Sequence, residues 1–348
     1  MLVKGNLPFV NVEVGGKKCS FLVDTGASDC VITPETAKRM GLYVSRQKAM
    51  VKTAAGDRVP IPMTFLPSLR IGKAEFNNVP AFVYDFGKIR GNITEMEGVV
   101  GFSIFRDATL TMDYPRGEMK ISPGPTLDPR DASCIPMRSA TGVPRIPVHG
   151  GAKTVFVDVD SGSTGGLEID PKKLGVKTDA PPRPGGLSTS IGKTYRTGMA
   201  RIVGALHIGS VELADPIVEV TSGDFRVGGE VLQNTVISLD QSSQLARVAL
   251  ARSGAKEAKK RKLYSPSRIG TGIGFNDFWV VQDVVPGSPG QKAGVRVGDV
   301  CTAIHGIPTS ELGDAYHLLL RHSPILTYRF QRGSKAFEAT VPVVLQVR

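Results

Sequence analysis

Two short segments of this 348-residue chain end an apolar run in a carboxylate and follow it at once with a hydroxyl residue and a glycine. In the first, Phe21-Leu-Val leads into Asp24, Thr25, Gly26, Ala27 and Ser28. In the second, Val157-Asp-Val leads into Asp160, Ser161, Gly162, Ser163 and Thr164, at an offset of 136 residues. A single carboxylate in such a place caps a turn just as well. Two of them related by an internal repeat imply a pseudo-twofold axis that brings Asp24 and Asp160 together. Like charges that close cannot both ionise, so the pair shares one proton and titrates in two separated steps. The ionised partner can take a proton from a water as that water attacks an amide carbon, while the protonated partner donates to the carbonyl oxygen. The scheme calls for no metal and no cofactor.

The repeat reaches well beyond these two segments. Thr53-Ala-Ala-Gly56-Asp57 recurs as Thr189-Ser-Ile-Gly192-Lys193, Leu69-Arg-Ile-Gly72 as Leu206-His-Ile-Gly209, and Pro80 as Pro216. After a deletion of about nine residues, Gly101 through Asp113 matches Gly228 through Asp240. The first 250 residues therefore read as one unit written twice. Each copy reads as strands. Residues 9–14 alternate apolar and polar, Gly15-Gly16 turns the chain, and residues 19–23 return as the second arm of a hairpin. Thr33-Pro34 and Asp170-Pro171 open short helices that Gly41 and Gly175 close. Residues 53–60 form a projecting hairpin with Gly56-Asp57 at its tip, and residues 189–196 are its counterpart. Residues 123–130 link the copies, and residues 181–186 read as a loop.

Composition agrees with a β-rich globular chain. Hydrophobic residues make up 41% and charged residues 22%, and 40 Gly with 24 Pro demand many tight turns. No run of about 18 apolar residues offers a membrane span. The four cysteines (19, 30, 134 and 301) include no CxxC pair, which excludes a disulfide scaffold and a zinc ribbon; buried thiols are the expectation. The five histidines (149, 207, 305, 317 and 322) show no ligand spacing. About half of the net charge of +11 lies in residues 252–268, where seven Lys or Arg face only Glu257. That stretch reads as a solvated linker rather than a nucleic-acid surface. The first residues lack the apolar core of a secretion signal.

A different pattern follows the linker. Gly270-Thr-Gly272-Ile273-Gly274-Phe275 precedes a strand at 278–285, where Trp279 is expected to pack. A helix is predicted over about 312–321 from Leu312, Ala315, Leu318 and Leu319, and strands over 325–330 and 336–341.

Asp24-Thr25-Gly26-Ala27-Ser28, with Val99-Val100-Gly101 downstream, resembles the active-site pattern of retropepsin-like aspartic proteases. Its recurrence at Asp160-Ser161-Gly162-Ser163-Thr164 makes a single-chain arrangement similar to pepsin. The resemblance implies a mainly β fold: two duplicated β-barrel lobes, 1–126 and 127–250, a basic linker at 251–266 and a last domain at 267–348. It implies Asp24 and Asp160 as the catalytic pair, with Thr25 and Ser161 bonding across the interface. Ser28 and Thr164 would bond the outer carboxylate oxygens, and Gly26 and Gly162 would allow close backbone approach. Ala55, Gly56, Ile191 and Gly192 would tip substrate-covering flaps. The last domain resembles bacterial PDZ domains, through Ile273-Gly274-Phe275 and the run Ser288-Pro289 to Gly298-Asp299. That likeness implies capture of a C-terminal carboxylate by the backbone at Ile273, Gly274 and Phe275. The combination resembles proteases exported to the bacterial envelope. The expected partners are peptides or unfolded proteins and one C-terminal peptide, with no nucleic acid, and a monomer suffices for the site.

The second copy departs from the pattern in three places. Asp158 stands where the first copy has Leu22, Gly165-Gly166 adds a residue, and Arg226 replaces Val99. Unpaired buried charge is costly, so Asp158 is expected to be exposed, protonated or paired, with Arg226 as a candidate partner. The alternative to an endopeptidase is an inactive peptide-binding scaffold with the same cleft.

Overall fold

The computed structural model describes residues 1–53, 56–86, 96–190, 193–251, 262–264, 268–276, 278–312 and 315–347. The protein is mainly β, and its residues group into two compact units. The first comprises Met1–Thr178, Ser190–Lys193 and Ile202–Ser265. The second comprises Asp179–Thr189, Thr194–Arg201 and Pro266–Arg348.

In the first unit, strand Leu7–Val14 turns over Gly15 and Gly16, both at positive φ (54° and 81°), into strand Lys17–Asp24. Two successive left-handed residues suit a two-residue hairpin, and glycine adopts them without strain. Lys17–Asp24 then pairs in parallel with Gly98–Gly101, which sets Asp24 opposite Gly101. Strand Cys30–Ile32 lies antiparallel to Gly98–Gly101 and parallel to Ala74–Val83. The expected helix forms at Pro34–Met40: the Thr33 hydroxyl accepts from the Thr36 amide, and Gly41 closes it at φ 71°. Helix Pro171–Leu174 repeats this design, with Asp170 as the cap and Gly175 at φ 73°.

Further along, strand Lys153–Val159 pairs in parallel with Arg226–Val227, which in turn lies antiparallel to Leu167–Ile169. Between these regions runs a five-stranded sheet that draws on distant parts of the chain. Ala108–Asp113 lies between Glu118–Pro123 and Thr235–Asp240; Leu245–Leu250 and Cys134–Pro136 complete it. Leu110, Met112, Ile237 and Leu239 fill its buried face. Part of the expected linker is ordered as strand Lys262–Tyr264, parallel to Val211–Ala214; residues 252–261 and 265–267 lie outside the described set.

The first projecting hairpin is longer than expected: Lys48–Lys52 pairs with Arg58–Ile71, from Lys52↔Arg58 to Lys48↔Pro62. Gly56 stands at φ 85° and donates to the Thr53 carbonyl, while Ala55 lies outside the described residues. The second hairpin consists of Arg183–Ser190 and Lys193–Arg201. Its tip, Ile191 and Gly192, also lies outside the described residues. Residues 183–186, expected as a loop, are thus strand. Among the described residues this strand is the outermost of its sheet, the kind of position where a proline such as Pro184 is tolerated. Gly185 lets the hairpin's arms approach: a methyl group there would stand 2.9 Å from Met199 Cγ.

The second unit holds a four-stranded sheet from Val300–Ile304, Ile307–Pro308, Ile325–Arg332 and Lys335–Pro342. The predicted helix appears as Thr309–Leu312 and Ala315–His322, with residues 313–314 outside the described set. Trp279 departs from expectation. It sits in a turn at φ 56°, because the Asn276 carboxamide oxygen accepts from the amides of Phe278 and Val280. Its ring packs on Phe275 and Tyr316. All four cysteines are free thiols, three of them buried, so Cys19 and Cys30 form no disulfide.

Candidate active site

Asp24 and Asp160 both end strands of the first unit's sheets, and the backbone after each makes a tight turn. Each carboxyl group occupies the space that a side chain on the other segment's glycine would need. A methyl group at Gly26 would stand 2.6 Å from the Asp160 carboxyl carbon, and one at Gly162 would stand 2.3 Å from that of Asp24. Here glycine serves close approach rather than an unusual φ. The two carboxyl groups are close enough for each to act on the other's ionisation.

Thr25 and Ser161 lie beneath the pair, both fully buried. The Thr25 amide donates to Ser161 Oγ (2.9 Å), and the Ser161 amide donates to Thr25 Oγ1 (3.1 Å). Each hydroxyl then donates across the interface to a backbone carbonyl: Thr25 to Val159 (2.5 Å), Ser161 to Val23 (2.7 Å). Every polar group in this exchange is satisfied, so the turns that carry the carboxylates are locked to one another. Tyr114 is buried next to them, where burial raises its phenol above the ordinary value.

Two expected contacts take another form. The Ser28 hydroxyl donates to the neighbouring Asp29 carboxylate (2.6 Å), a charged acceptor one residue away. The Asp24 carboxylate accepts instead from the Gly26 amide (2.8 Å), and the Asp24 carbonyl from the Ala27 amide (3.2 Å). Thr164 is exposed, next to the additional residue in its loop, and the Ser163 amide donates to the Asp160 carbonyl (3.3 Å).

The surroundings of the two carboxylates differ in kind. Next to Asp24, the strand register sets Phe9 opposite Leu22, Leu22 opposite Val99, and Val99 opposite Val31; these pack with Leu7, Phe86 and Met96 in one apolar cluster. Next to Asp160, the same register sets Arg145 opposite Asp158, Asp158 opposite Arg226, and Arg226 opposite Glu168. Four apolar side chains are thus exchanged for four charged ones. Asp158 pairs with Arg145 (2.8 Å), not with Arg226 as expected; the guanidinium of Arg226 runs on to Glu168 (3.0 Å) and to Asp160 (3.3 Å). Arg226 and Glu168 are deeply buried, their side chains 12% and 6% exposed. Arg145, Glu168 and the Arg226–Asp160 contact were invisible to sequence reasoning, although Arg226 itself was marked by its departure from Val99.

Burial and the Asp160 charge push the Asp24 carboxyl up to about 7. Burial raises Asp160 also, against the pull of Arg226 and the Gly162 amide. Among the described residues no cluster of His, Cys, Asp and Glu is arranged to hold a metal, and no helix is long and apolar enough to cross a membrane.

In the second unit, Ile273–Phe275 forms a short strand against Val281–Val284, with a register irregularity between Gly274 and Phe275. Gly272 stands at φ 76°, and a methyl group there would meet Ser288 Cβ at 2.2 Å. The Phe275 ring is held by Trp279, Tyr316, Tyr328 and Phe330, at centroid distances of 5.4 to 6.4 Å.

Residues 10–104 match the aspartyl protease family model, and residues 280–329 match a PDZ domain model. An uncharacterized protein of Rickettsia prowazekii (strain Madrid E) is 33% identical over 111 residues, which cover 30% of this chain and 46% of that protein. The crystal structure of a retropepsin-like aspartic protease from Rickettsia conorii matches at 28% identity with a TM-score of 0.20, over 28% of this chain and 66% of that one. The chain therefore spans about half the length of the curated relative it matches. Residues 10–104 are thus similar to aspartyl proteases, and residues 280–329 to PDZ domains.

Proposed function

We propose that this protein is an aspartic endopeptidase that hydrolyses extended peptides with a water activated between Asp24 and Asp160. The observation that carries the reading is reciprocal: each carboxyl group lies over the glycine that follows the other. An ion or a turn cap needs no such exchange, whereas two carboxyl groups sharing one proton do. The ionised carboxylate takes a proton from the water, and the water oxygen bonds to the amide carbon. The other carboxyl gives its proton to the carbonyl oxygen, leaving a neutral gem-diol. The proton taken from the water then passes to the amide nitrogen, the C–N bond breaks, and one diol hydroxyl returns a proton to the second carboxylate. The chain would supply both carboxylates from two duplicated lobes, so a monomer suffices. The hairpins tipped by Gly56 and Gly192 would cover an extended substrate and pair with its backbone. The PDZ domain would bind a C-terminal peptide of substrate or regulator along Ile273–Phe275.

The test is cleavage of a diverse peptide pool by the full chain across about pH 3 to 8, with Asp24→Asn and Asp160→Asn in parallel. Cleavage by the native chain and its loss in both variants is the expected result. No cleavage at any pH, with peptide binding retained in Asp24→Asn, would replace the endopeptidase by a peptide-binding scaffold.

A further inference from the structure

We infer that Arg226 is a positioning residue that polarises the pair, holding Asp160 as the ionised base and leaving the shared proton on Asp24. The inference rests on the proposed hydrolysis for its chemical meaning, but its geometry stands apart from it. In a symmetric pair either carboxyl can carry the proton. Here the symmetry is broken in the immediate neighbours. Asp24 stands beside a packed apolar cluster built on Leu22, Val31 and Val99. Asp160 has a guanidinium nitrogen 3.3 Å from its Oδ2. A fixed cation beside one of two coupled carboxylates favours the charge on that one. Moving the proton to Asp160 would give up the attraction between that carboxylate and the guanidinium.

The charged groups around Arg226 fit this role. Its strand lies between Lys153–Val159 and Leu167–Ile169. From the first come Asp158, which is paired with Arg145, and Asp160 at the strand's end. From the second comes Glu168, bonded to Arg226 Nε. Asp24 and the Tyr114 phenol face Asp160 from the other half. Glu168 takes the Nε edge and so aims the Nη1 edge at Asp160; it also spends part of the cation's charge. The raised value of Asp24, about 7, agrees with a proton that stays there up to near-neutral pH, where half of it is lost.

The pair therefore has a defined direction. Asp160 receives the water's proton, and Asp24 donates to the carbonyl oxygen. The Val99 of the first half cannot do this, which explains why the exchange of Val for Arg at this place retunes the site rather than merely decorating it.

The experiment is a carboxyl 13C NMR titration of the full chain labelled at aspartate, with Asp24→Asn and Asp160→Asn used to assign the two signals. Asp160 is expected to ionise first. Arg226→Val should raise the Asp160 step by about one pH unit or more, and Glu168→Gln should lower it. Arg226→Val/Glu168→Gln removes both charges and serves if the single variant does not fold; it too should raise the step. Ionisation of Asp24 before Asp160, or an Asp160 step that no variant moves, overturns the inference. Peptide cleavage followed in the same samples should lose its acidic limb at higher pH in Arg226→Val. If the native chain cleaves nothing while the two signals keep their order, the hydrolytic reading fails and the polarised pair stands.

Discussion

Replacing Asp24 by Asn should make the fold more stable at pH 8 and leave it nearly unchanged at pH 4.5. In the folded chain the Asp24 carboxyl holds its proton to about pH 7, against an ordinary value of 3.8. The folded state thus binds a proton that the unfolded chain has released, and stability falls as the pH climbs from about 4 to about 7. A displacement of roughly three units at about 1.4 kcal/mol each sets a ceiling of ~4 kcal/mol. Asp24 is partly exposed, and solvent screens part of the repulsion, so a gain of about 2 kcal/mol is expected. Asn is the right probe because it keeps the shape of the protonated acid. Its oxygen can accept from the Gly26 amide, and its amide can donate to Asp160. The assay is thermal unfolding of the full chain at the two pH values, where about 2 kcal/mol corresponds to a rise of roughly 5 °C in the transition of the first unit. An equal shift at both pH values, or none at pH 8, would refute the reasoning.

Three further outcomes follow from the geometry. Gly26→Ala and Gly162→Ala each drive a methyl group into the opposing carboxyl, so either should cut peptide cleavage by about 100-fold or more while circular dichroism stays native. Thr25→Val strips one hydroxyl from the buried exchange and leaves the Ser161 amide without its acceptor; a loss of about 1–3 kcal/mol is expected in urea unfolding, with Thr25→Ser close to native. In the second unit Asp299 is 1% exposed and bonded by Arg332 at 2.6 and 2.8 Å. Burial opposes its charge, but Arg332 and the Arg296 amide outweigh it and hold the carboxyl below the ordinary range. Its stabilisation is therefore complete above about pH 4 and lost as the pH falls below that. Arg332→Ala should destabilise the second unit at pH 7 and much less at pH 2, read from its own unfolding transition.

Much of this molecule can be read without coordinates, and the reasons for the rest are physical. Asp24 and Asp160 announce themselves because a carboxylate, a hydroxyl and a glycine recur in order. Thr33, Gly41, Asp170 and Gly175 do so because helix ends have few chemical solutions. These signals are local. The partner of Asp158 is not local: strand register decides that Arg145 reaches it while Arg226 turns to Glu168 and Asp160. No spacing in the sequence encodes that choice. Ser28 was misassigned because the contest between Asp24 and Asp29 for its hydroxyl is settled by side-chain direction. Pro184 and Gly185 look like loop residues, yet an edge position and a close crossing accommodate them in a strand. Trp279 shows the converse, an aromatic residue of high strand propensity bent into a turn by the Asn276 side chain.

The sheet shared by Ala108–Asp113 and Thr235–Asp240 bears on how firmly the site is held. The two carboxylates belong to halves of the chain that are stitched to each other by five consecutive register pairs, from Thr109↔Asp240 to Asp113↔Val236. The Thr111 and Ser238 hydroxyls add a rivet 2.8 Å long, and the leucines and methionine beneath are dry. Swinging the halves apart would mean unzipping that seam and wetting its core. The segment that connects the halves reinforces the seam, since the amides of Thr126 and Leu127 donate to the Asp240 carboxylate at its end. Such a joint is welded, not hinged: it fixes the spacing of the Asp24 and Asp160 segments instead of letting the two halves breathe.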